Sequence, residues 1–552
     1  MVKGYIYFTA ILTSFLLIFS SCAEEELKLH TPEFNMISSI DNHAVIFSYD
    51  FMKLMDKSKV QNSEDMPMEV KMAMSIYIGN MLNSSNMGIR LEGNNHVVIT
   101  TAENGEADLV FLTAEVVNED KVKKGVKDFF KGKSFDEGGL HFIEHKFSNT
   151  LAAWDKDHIL FIHTENDAID LKTKAKSILE ARIVEGVEND VLENYLNRED
   201  DMNVLVYLDK WMERLKKEVQ DLKVRPSAFY SQAGVNGGFD EDFLSLYDST
   251  YIIGSGNFLS GKIIFEMEMH GDKLKNSEYN LLPGKPISNG FMNYLSNEVP
   301  MMFGVASINM DAVFNMMLQN DEMQSLFSNR AQKIGLTEKE MRGLLTGEFS
   351  ASLIGVEMKP NPFYELQVAL IEDDFFADME ESYIPNPPEI PSPVYLIAVG
   401  LNDPDKLRNL YSTLHMIEDK GGYFSTGSDS FFVFSDNKLM ITSDESVAAK
   451  LGKGQVLKEY KPSSEISSSL YGEVIPNLDN LPQALKDMVI ENAGNESGEL
   501  LKFMNEFEKV TFSGSFDKMK LEVVMADKEA NSIEVITGKL MKQVMQNMNL
   551  FI

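Results

Sequence analysis

The sequence predicts an α+β protein made of two similar lobes, each with a largely antiparallel sheet and amphipathic helices. Three observations lead to this prediction. First, a unit of an apolar strand, then Asp or Asn, then an amphipathic helix recurs along the chain. Second, further strands bounded by turn residues lie between these units. Third, the elements follow one another in the same order in both halves of the chain. Hairpins mixed with helices in this way are typical of α+β domains.

The junction between strand and helix is the clearest part of the recurring unit. Asp and Asn side chains accept hydrogen bonds from the free N–H groups of a first helical turn. The six junction residues, three in each half, are Asp50, Asn118, Asp209, Asn309, Asp403 and Asn477. The strands predicted before them are Val45–Tyr49, Leu109–Val117, Val204–Leu208, Val305–Ile308, Tyr395–Leu401 and Leu470–Ile475. The helices predicted after them are Phe51–Lys57, Asp120–Phe130, Lys210–Gln220, Met310–Leu318, Asp405–Met416 and Leu481–Val489.

Further elements follow from periodicity and turn residues. A helix is predicted over Met66–Leu82, and its counterpart over Thr337–Leu345 begins with the capping-box pair Thr337 and Glu340. Residues alternate with period two in Leu140–Phe147 and in Phe258–Met269, which predicts strands.

Residue spacing supports an internal duplication. Asp50 and Asn309 are 259 positions apart, as are Gly88 and Gly347. Tyr247 and Phe507, like Gly254 and Gly514, are 260 apart, whereas Trp154 and Phe434 are 280 apart. The Pro-rich segment 382–393 accounts for the larger separation in the middle of the chain.

The predicted organisation has four parts. Residues 1–21 form a lipoprotein signal peptide, and residues 22–34 form a lipidated N-terminus and acidic linker. The first α+β lobe covers residues 35–280 and the second covers residues 290–552, with the Pro-rich insertion at 382–393. The junction is predicted within Asp272–Asn289, which contains Pro283, Gly284 and Pro286.

Composition excludes several classes of protein. The chain has 552 residues, a net charge of −34 and one cysteine. Such an acidic chain is not expected to bind nucleic acid, whose affinity comes from Lys and Arg on phosphates. One cysteine excludes a disulfide scaffold, an iron–sulfur cluster and a multi-cysteine zinc site.

The N-terminus carries the most specific signal in the chain. Lys3 precedes an apolar stretch from Tyr5 to Phe19, which is shorter than the roughly 20 apolar residues that span a bilayer. Ser20 and Ser21 then precede Cys22. This segment resembles a bacterial lipoprotein signal, although Phe19 stands where Leu is usual. The resemblance implies cleavage before Cys22 and its acylation; a plain secretory signal or an uncleaved anchor is the alternative.

Three acidic residues follow the cysteine, namely Glu24, Glu25 and Glu26. They resemble the surface-export signal of Bacteroidota lipoproteins. A solvated linker explains them equally well, so surface exposure and a periplasm-facing anchor both stay open.

The sharpest catalytic-type motif is His141-Phe-Ile-Glu144-His145, which matches the H-x-x-E-H pattern of zinc peptidases. Its alternation predicts a strand, on which histidines four residues apart are separated by about 13 Å at roughly 3.3 Å per residue. One zinc ion with Zn–N bonds of about 2.0–2.1 Å does not hold both. We therefore predict no metal site and no cofactor, and we identify no catalytic residue. The acidic group around Asp373 and Asp374 is interpreted as a solvated face.

Asp248-Ser249-Thr250 resembles the short O-glycosylation motif of Bacteroidota, but the neighbouring strand pattern makes burial an equal alternative.

Together, the Cys22 signal and the duplicated α+β body resemble an uncharacterised Bacteroidota outer-membrane lipoprotein family, classed as a domain of unknown function. The resemblance covers nearly the whole chain and implies an outer-membrane lipoprotein without known catalytic residues. The leading hypothesis is a lipid-anchored envelope protein that acts as a binding or structural module for an unknown protein or glycan. The alternative is an envelope hydrolase of peptide or glycan with an unrecognised site.

Overall fold

The computed structural model describes the parts of the chain from which all structural statements here are drawn. These are residues 36–40, 42–59, 88–90, 93–101, 107–166, 168–181, 190–210, 245–282, 287, 291, 300–318, 324–325, 328–329, 335–361, 364, 389–413, 418–425, 430–455, 468–476, 483, 486 and 505–538. Helices and antiparallel strands both occur throughout, so the predicted α+β class is confirmed.

The chain divides into two compact units between Ser277 and Glu278. The first unit also contains Asp517–Lys520 and Asp527–Ile552, whereas Leu521–Ala526 belongs to the second. The first unit therefore includes residues near the C-terminus that the sequence analysis assigned to the second lobe. Among them, the Asn531 amide donates to the Phe258 carbonyl at 3.1 Å, and Gly261 N–H donates to the Ala530 carbonyl at 2.9 Å.

The first unit contains eleven of the described strands. They are β1 (His43–Asp50), β2 (Ile89–Arg90), β3 (Asn94–Thr101), β4 (Ala107–Val116), β5 (Lys131–Glu137), β6 (Leu140–His145), β7 (Thr150–Trp154), β8 (His158–His163), β9 (Met202–Tyr207), β10 (Tyr251–Leu259) and β11 (Lys262–His270). Its described helices are α1 (Phe51–Ser58), α2 (Glu119–Phe130), α3 (Leu171–Ala181), α4 (Asp190–Leu196) and α5 (Asp272–Lys275).

These strands form one antiparallel sheet in the order β11-β10-β9-β1-β3-β4-β8-β7-β6-β5. The short β2 pairs with the end of β4. Gly138 and Gly139, with φ of +63° and +86°, make the two-residue turn between β5 and β6, where only glycine adopts both conformations without strain.

Both faces are buried in the middle of this sheet, at β7 and β8, whereas the edge strand β5 is mostly exposed. Successive residues of a strand point to opposite faces. Phe142 packs with α3 and α4 on one face, while its neighbour Ile143 packs with α2 on the other. Leu160 and Ile159 on β8 divide in the same way. The sheet therefore separates two apolar cores.

Two of the three junction caps predicted for the first unit are present. The prediction is wrong for Asp209, because the helical turn there begins at Leu208 and Asp209 Oδ1 has no hydrogen-bond partner among the described residues. The Asp50 carboxylate accepts from Lys53 N–H at 2.9 Å and begins α1, and the Asn118 amide oxygen accepts from Lys121 N–H at 3.1 Å and begins α2. The helix predicted over Asp120–Phe130 begins one residue earlier, at Glu119. The strand predicted over Leu140–Phe147 ends at His145.

The second unit contains the remaining described elements. Its strands are β12 (Met302–Ser307), β13 (Leu345–Pro360), β14 (Glu389–Leu401), β15 (Glu418–Asp419), β16 (Phe424–Ser425), β17 (Phe431–Ser435), β18 (Lys438–Thr442), β19 (Leu470–Val474) and β20 (Phe507–Gly514); β21 (Lys518–Met525) is shared between the two units. Its helices are α6 (Met310–Leu318), α7 (Glu338–Arg342), α8 (Pro404–Thr413) and α9 (Glu445–Gly452).

The sheet of the second unit runs β20-β19-β12-β13-β14-β18-β17-β16-β15, again antiparallel throughout. Helix α9 packs on one face through Val447 and Leu451, and α8 packs on the other through Leu407 and Tyr411. The capping box of Thr337 and Glu340 is present at the start of α7. The helix is shorter than predicted, because β13 begins at Leu345.

The two units share one strand order, with β12 in the place of β1 and β19 in the place of β9. The row Phe47–Val204–Gly254 across three strands of the first unit corresponds to the row Ala306–Leu470–Gly514 of the second. Gly254 pairs with Val204 of β9, and Gly514 pairs with Leu470 of β19.

The predicted pairing of Gly88 with Gly347 is wrong in sheet position. Ser48 pairs with His96, whereas Ser307, which lies 259 residues later, pairs with Glu348. The strands β3 and β13 are therefore aligned at a separation of 252, which places Gly347 opposite Asn95 and not Gly88. The connection between β1 and β3 therefore differs in length from the connection between β12 and β13, and equal residue spacing does not reveal such a difference.

Two further sequence interpretations need correction. The alternation over Phe258–Met269 spans two strands, because β10 ends at Leu259 and β11 begins at Lys262 after the turn at Gly261. The Pro-rich insertion is strand from Glu389 onward, since Pro391 and Pro393 pair with β13. Proline is tolerated there because β14 pairs with β18 only from Leu396 on, so the prolines lie at a sheet edge.

Several predicted segments lie outside the described residues. They are Met66–Leu82, most of Lys210–Gln220, the acidic group around Asp373, and most of Leu481–Val489.

We predict that Phe142→Ala lowers the free energy of unfolding of the first unit by about 3–5 kcal/mol, because it leaves a cavity beneath α3 and α4. Phe142 is fully buried, while Phe147, five residues later, is 77% exposed. Phe147→Ala is the matched control and should leave the transition unchanged. Urea unfolding of both variants measures the difference, and equal midpoints would contradict the two-core description.

Candidate functional site

Four of the residues singled out from the sequence, Cys22, Glu24, Glu25 and Glu26, lie outside the described residues. The site-type clusters described below therefore come from the body of the protein, and all of them belong to the first unit.

The H-x-x-E-H segment is strand β6, as its alternation predicts. The His141 ring contacts two carboxylates: Nδ1 lies 2.6 Å from Asp136 Oδ1, and Nε2 lies 2.7 Å from Glu119 Oε1. It also packs against the buried Trp154 ring at 5.5 Å between centroids. His141 thus links the N-terminus of α2 to the edge of the sheet.

His145 has different surroundings. Its Nδ1 lies 2.7 Å from the Ser148 hydroxyl, which continues through Thr150 Oγ1 at 2.8 Å to His163 Nδ1 at 2.9 Å. Burial lowers the pKa of His145 and that of His163, so these two side chains remain neutral at pH 7. The two histidines of the motif therefore serve separate networks and do not converge.

A buried polar cluster that no sequence motif indicates lies at the centre of the sheet. Ser48 on β1 is flanked by His96 on β3, and its hydroxyl lies 2.7 Å from His96 Nδ1. The Tyr195 hydroxyl, from α4, lies 2.7 Å from the same Ser48 oxygen. It is also within 2.9 Å of the Ile46 carbonyl and 3.1 Å of the Asn203 carbonyl. Polar residues within otherwise apolar strands were the one available sequence signal.

Burial decides what this Ser–His pair can do. Ser48, His96 and Tyr195 are 2%, 3% and 1% exposed. Burial lowers the pKa of His96 to about 4 and raises that of the Tyr195 phenol, so both are neutral at pH 7. A serine nucleophile needs contact with its substrate, which this position does not permit. The geometry is that of a satisfied core network that fixes α4 on the sheet.

A second buried polar site joins three elements through one carboxylate. Asp201, whose side chain is fully buried, accepts from Lys57 Nζ at 2.7 and 2.5 Å and from Phe258 N–H at 2.7 Å. Lys53 Nζ is 3.0 Å away. Burial raises the pKa of Asp201, but the two ammonium groups and the N–H outweigh it, and the pKa lies below its ordinary value. These contacts hold α1 against the start of β9 and the end of β10.

The Asp248-Ser249-Thr250 segment is buried at its last residue. Thr250 is 0% exposed, and its hydroxyl lies 3.5 Å from the Leu246 carbonyl. A sugar on the Thr250 hydroxyl is incompatible with this position. Asp248 and Ser249 are exposed, so the burial alternative holds for Thr250 alone.

Comparisons with known proteins identify no family. No family model and no curated protein matches the chain. A solved structure titled "Structure of crystal form IV of TP0453" is similar at 8% identity and a TM-score of 0.24, over 42% of this chain and 78% of that one. A likeness this weak supports no conclusion about fold or function. In the described residues, no helix is long and apolar enough to cross a membrane.

We predict that His96 makes the first unit less stable as pH falls from about 6.5 to about 4. Its folded-state pKa lies below its unfolded value of 6.5, so unfolding takes up a proton in this window. His96 makes its full contribution to the free energy of unfolding above pH 6.5. As the pH falls below this value, the free energy of unfolding decreases by up to about 1.4 kcal/mol per pH unit. Urea unfolding across this range should show the slope in wild type and a shallower slope in His96→Gln. Identical slopes would refute the prediction.

We also predict that Asp201→Asn destabilises the first unit by roughly 3 kcal/mol, because removing one partner from a buried ion pair leaves the others uncompensated. Asp248→Asn is the control, since its ion pair with Lys273 is 58% exposed on both sides. That change should stay within about 0.5 kcal/mol. Thermal or urea unfolding compares the two, and equal effects would show that Asp201 has no special structural role.

Proposed function

We propose that this protein is an envelope lipoprotein, held at the outer membrane by lipid on Cys22, whose two α+β units act as a binding or structural module. The observation that carries the proposal is the N-terminal sequence, in which a positive residue, an apolar stretch and two small residues precede the single cysteine. Acylation at more than one position anchors a protein far more firmly than a single chain does.

The described side chains support a non-enzymatic role. The pair most like a hydrolase site, Ser48 and His96, is buried and hydrogen-bonded within the core. His141 and His145 are engaged by carboxylates and by a hydroxyl, respectively. An envelope hydrolase of peptide or glycan, acting through other residues, is the alternative, and no contact among these residues favours it.

We further propose that the two units arose by internal duplication. The shared strand order supports this, as does the common sheet position of Gly254 and Gly514. The helix caps support it too: Asn118 and Asp403 both follow the strand that pairs with the hairpin of β7 and β8, or of β17 and β18.

The proposed location and partners follow from the same N-terminus. The acidic residues Glu24, Glu25 and Glu26 would direct the protein to the cell surface if they act as an export signal, and otherwise the anchor faces the periplasm. The partner would be a protein or glycan of the envelope and not a nucleic acid. Membership of an uncharacterised Bacteroidota lipoprotein family is part of this proposal and rests on the layout of the sequence.

We predict that Cys22→Ala abolishes incorporation of a labelled fatty acid and moves the protein out of the membrane fraction. The thioether carrying the lipid cannot form without the thiol. Ser21→Ala is the matched control, because it retains the cysteine and a small residue before it. Acyl labelling followed by membrane fractionation measures both, and unchanged labelling in Cys22→Ala would overturn the proposal.

A further inference from the structure

The loop between β6 and β7 projects an aromatic side chain into solvent. Phe147 is 77% exposed, more than the other large hydrophobic residues exposed in the described residues. The Lys146 ammonium lies 5.0 Å from the centre of its ring, and the His145 ring lies 6.1 Å away. A ring this exposed gains little free energy from burial in the fold, which leaves its surface available to a partner.

Basic side chains surround this tip. Lys146 N–H donates to the Phe130 carbonyl at 3.0 Å, and Lys131 pairs with His145 across the sheet. The C-terminus of α2, the start of β5 and the loop therefore meet at one place. We call the exposed residues gathered there the basic tip, which comprises Lys127, Lys131, Lys133, Lys146 and Phe147.

The charge of this region is opposite to that of the protein as a whole. The basic tip contains four lysines, in a chain of net charge −34. Asp128 and Glu144 are the exposed acidic groups within the segments that form the basic tip. A positive area on an acidic protein attracts anionic partners, whereas the net charge of −34 on each chain makes whole copies repel one another.

Protection of a sheet edge accounts for only part of this arrangement. Among the described strands, β5 pairs with β6 alone, and lysines on such an edge discourage pairing with other chains. That explains Lys131 and Lys133. It does not explain Phe147 or Lys146, because both belong to the loop between β6 and β7 and do not lie on the β5 edge.

We propose that the basic tip is a contact site for the surface of an anionic lipid bilayer. The lysines would lie at the phosphate level, and Phe147 would enter the boundary between headgroups and acyl chains. A bilayer uses both features at once, since basic groups gain from anionic lipids while an apolar ring gains from burial in the interface. The proposal does not require lipidation of Cys22, because it concerns a different part of the chain.

The test uses the full chain with tryptophan at the tip. Phe147→Trp is mixed with vesicles whose acyl chains are brominated, so that tryptophan fluorescence is quenched on insertion. One set of vesicles is phosphatidylcholine, and the other contains about a third phosphatidylglycerol. Val117→Trp is the matched control, because Val117 is 53% exposed at the opposite end of α2. The wild-type chain supplies the background from its two native tryptophans.

We expect quenching at position 147 on anionic vesicles, weakening with salt, and little at position 117. Each lysine near an anionic surface contributes about fivefold to partition, so Lys131→Glu, Lys133→Glu and Lys146→Glu together should weaken it by a hundredfold or more. A second triple variant with the same charge change, Lys420→Glu, Lys453→Glu and Lys528→Glu, should retain it. Circular dichroism checks that each variant is folded.

Three results would overturn the proposal: no quenching at 147, equal quenching on both kinds of vesicle, or equal loss in the two triple variants. Loss of acyl labelling on Cys22 bears only on the proposed anchor, because fluorescence at position 147 reports local contact with the bilayer. The two proposals can therefore fail separately.

Discussion

Burial of both faces of an antiparallel sheet is the constraint on which each unit depends. Along β6 and β8, one residue packs beneath α3 and α4 and the next packs beneath α2, so a shift of one residue would exchange the two cores. Strands in the middle of the sheet, such as β7 and β8, are therefore buried at nearly every position, and buried polar residues of the sheet need a partner within it. Ser48 and His96 satisfy this need for each other.

The same constraint explains why the most catalytic-looking residues are structural. A polar side chain in a doubly covered sheet is out of contact with solvent, and it is retained only where hydrogen bonds replace those to water. Tyr195 supplies such bonds from α4, and Asp201 gathers two lysines and a backbone N–H where β9 begins. These networks determine how the helices lie on the sheet.

Two separated features then carry the proposed relation to the membrane. Cys22 would supply a covalent anchor, and the basic tip would supply a reversible contact that responds to lipid charge and salt. Phe147 stands out because neighbouring aromatic residues, such as Phe130 and Phe142, are buried in the two cores. Phenylalanine thus packs in the core at position 142, where helices cover the sheet, and is exposed at position 147, where none of the described helices does.

The sequence by itself determined the local features: the helix caps at Asp50 and Asn118, the strand character of the H-x-x-E-H segment, and the capping box of Thr337. These depend on contacts between residues three or four positions apart, or on alternation along one strand. Only the tertiary structure decided which strands are neighbours, that Ser48 meets Tyr195 across 147 residues, and that Lys57 meets Asp201 across 144. Such contacts depend on loop lengths and sheet order, which leave no periodic signal in the chain. For the same reason Gly88 and Gly347 matched in spacing and not in position.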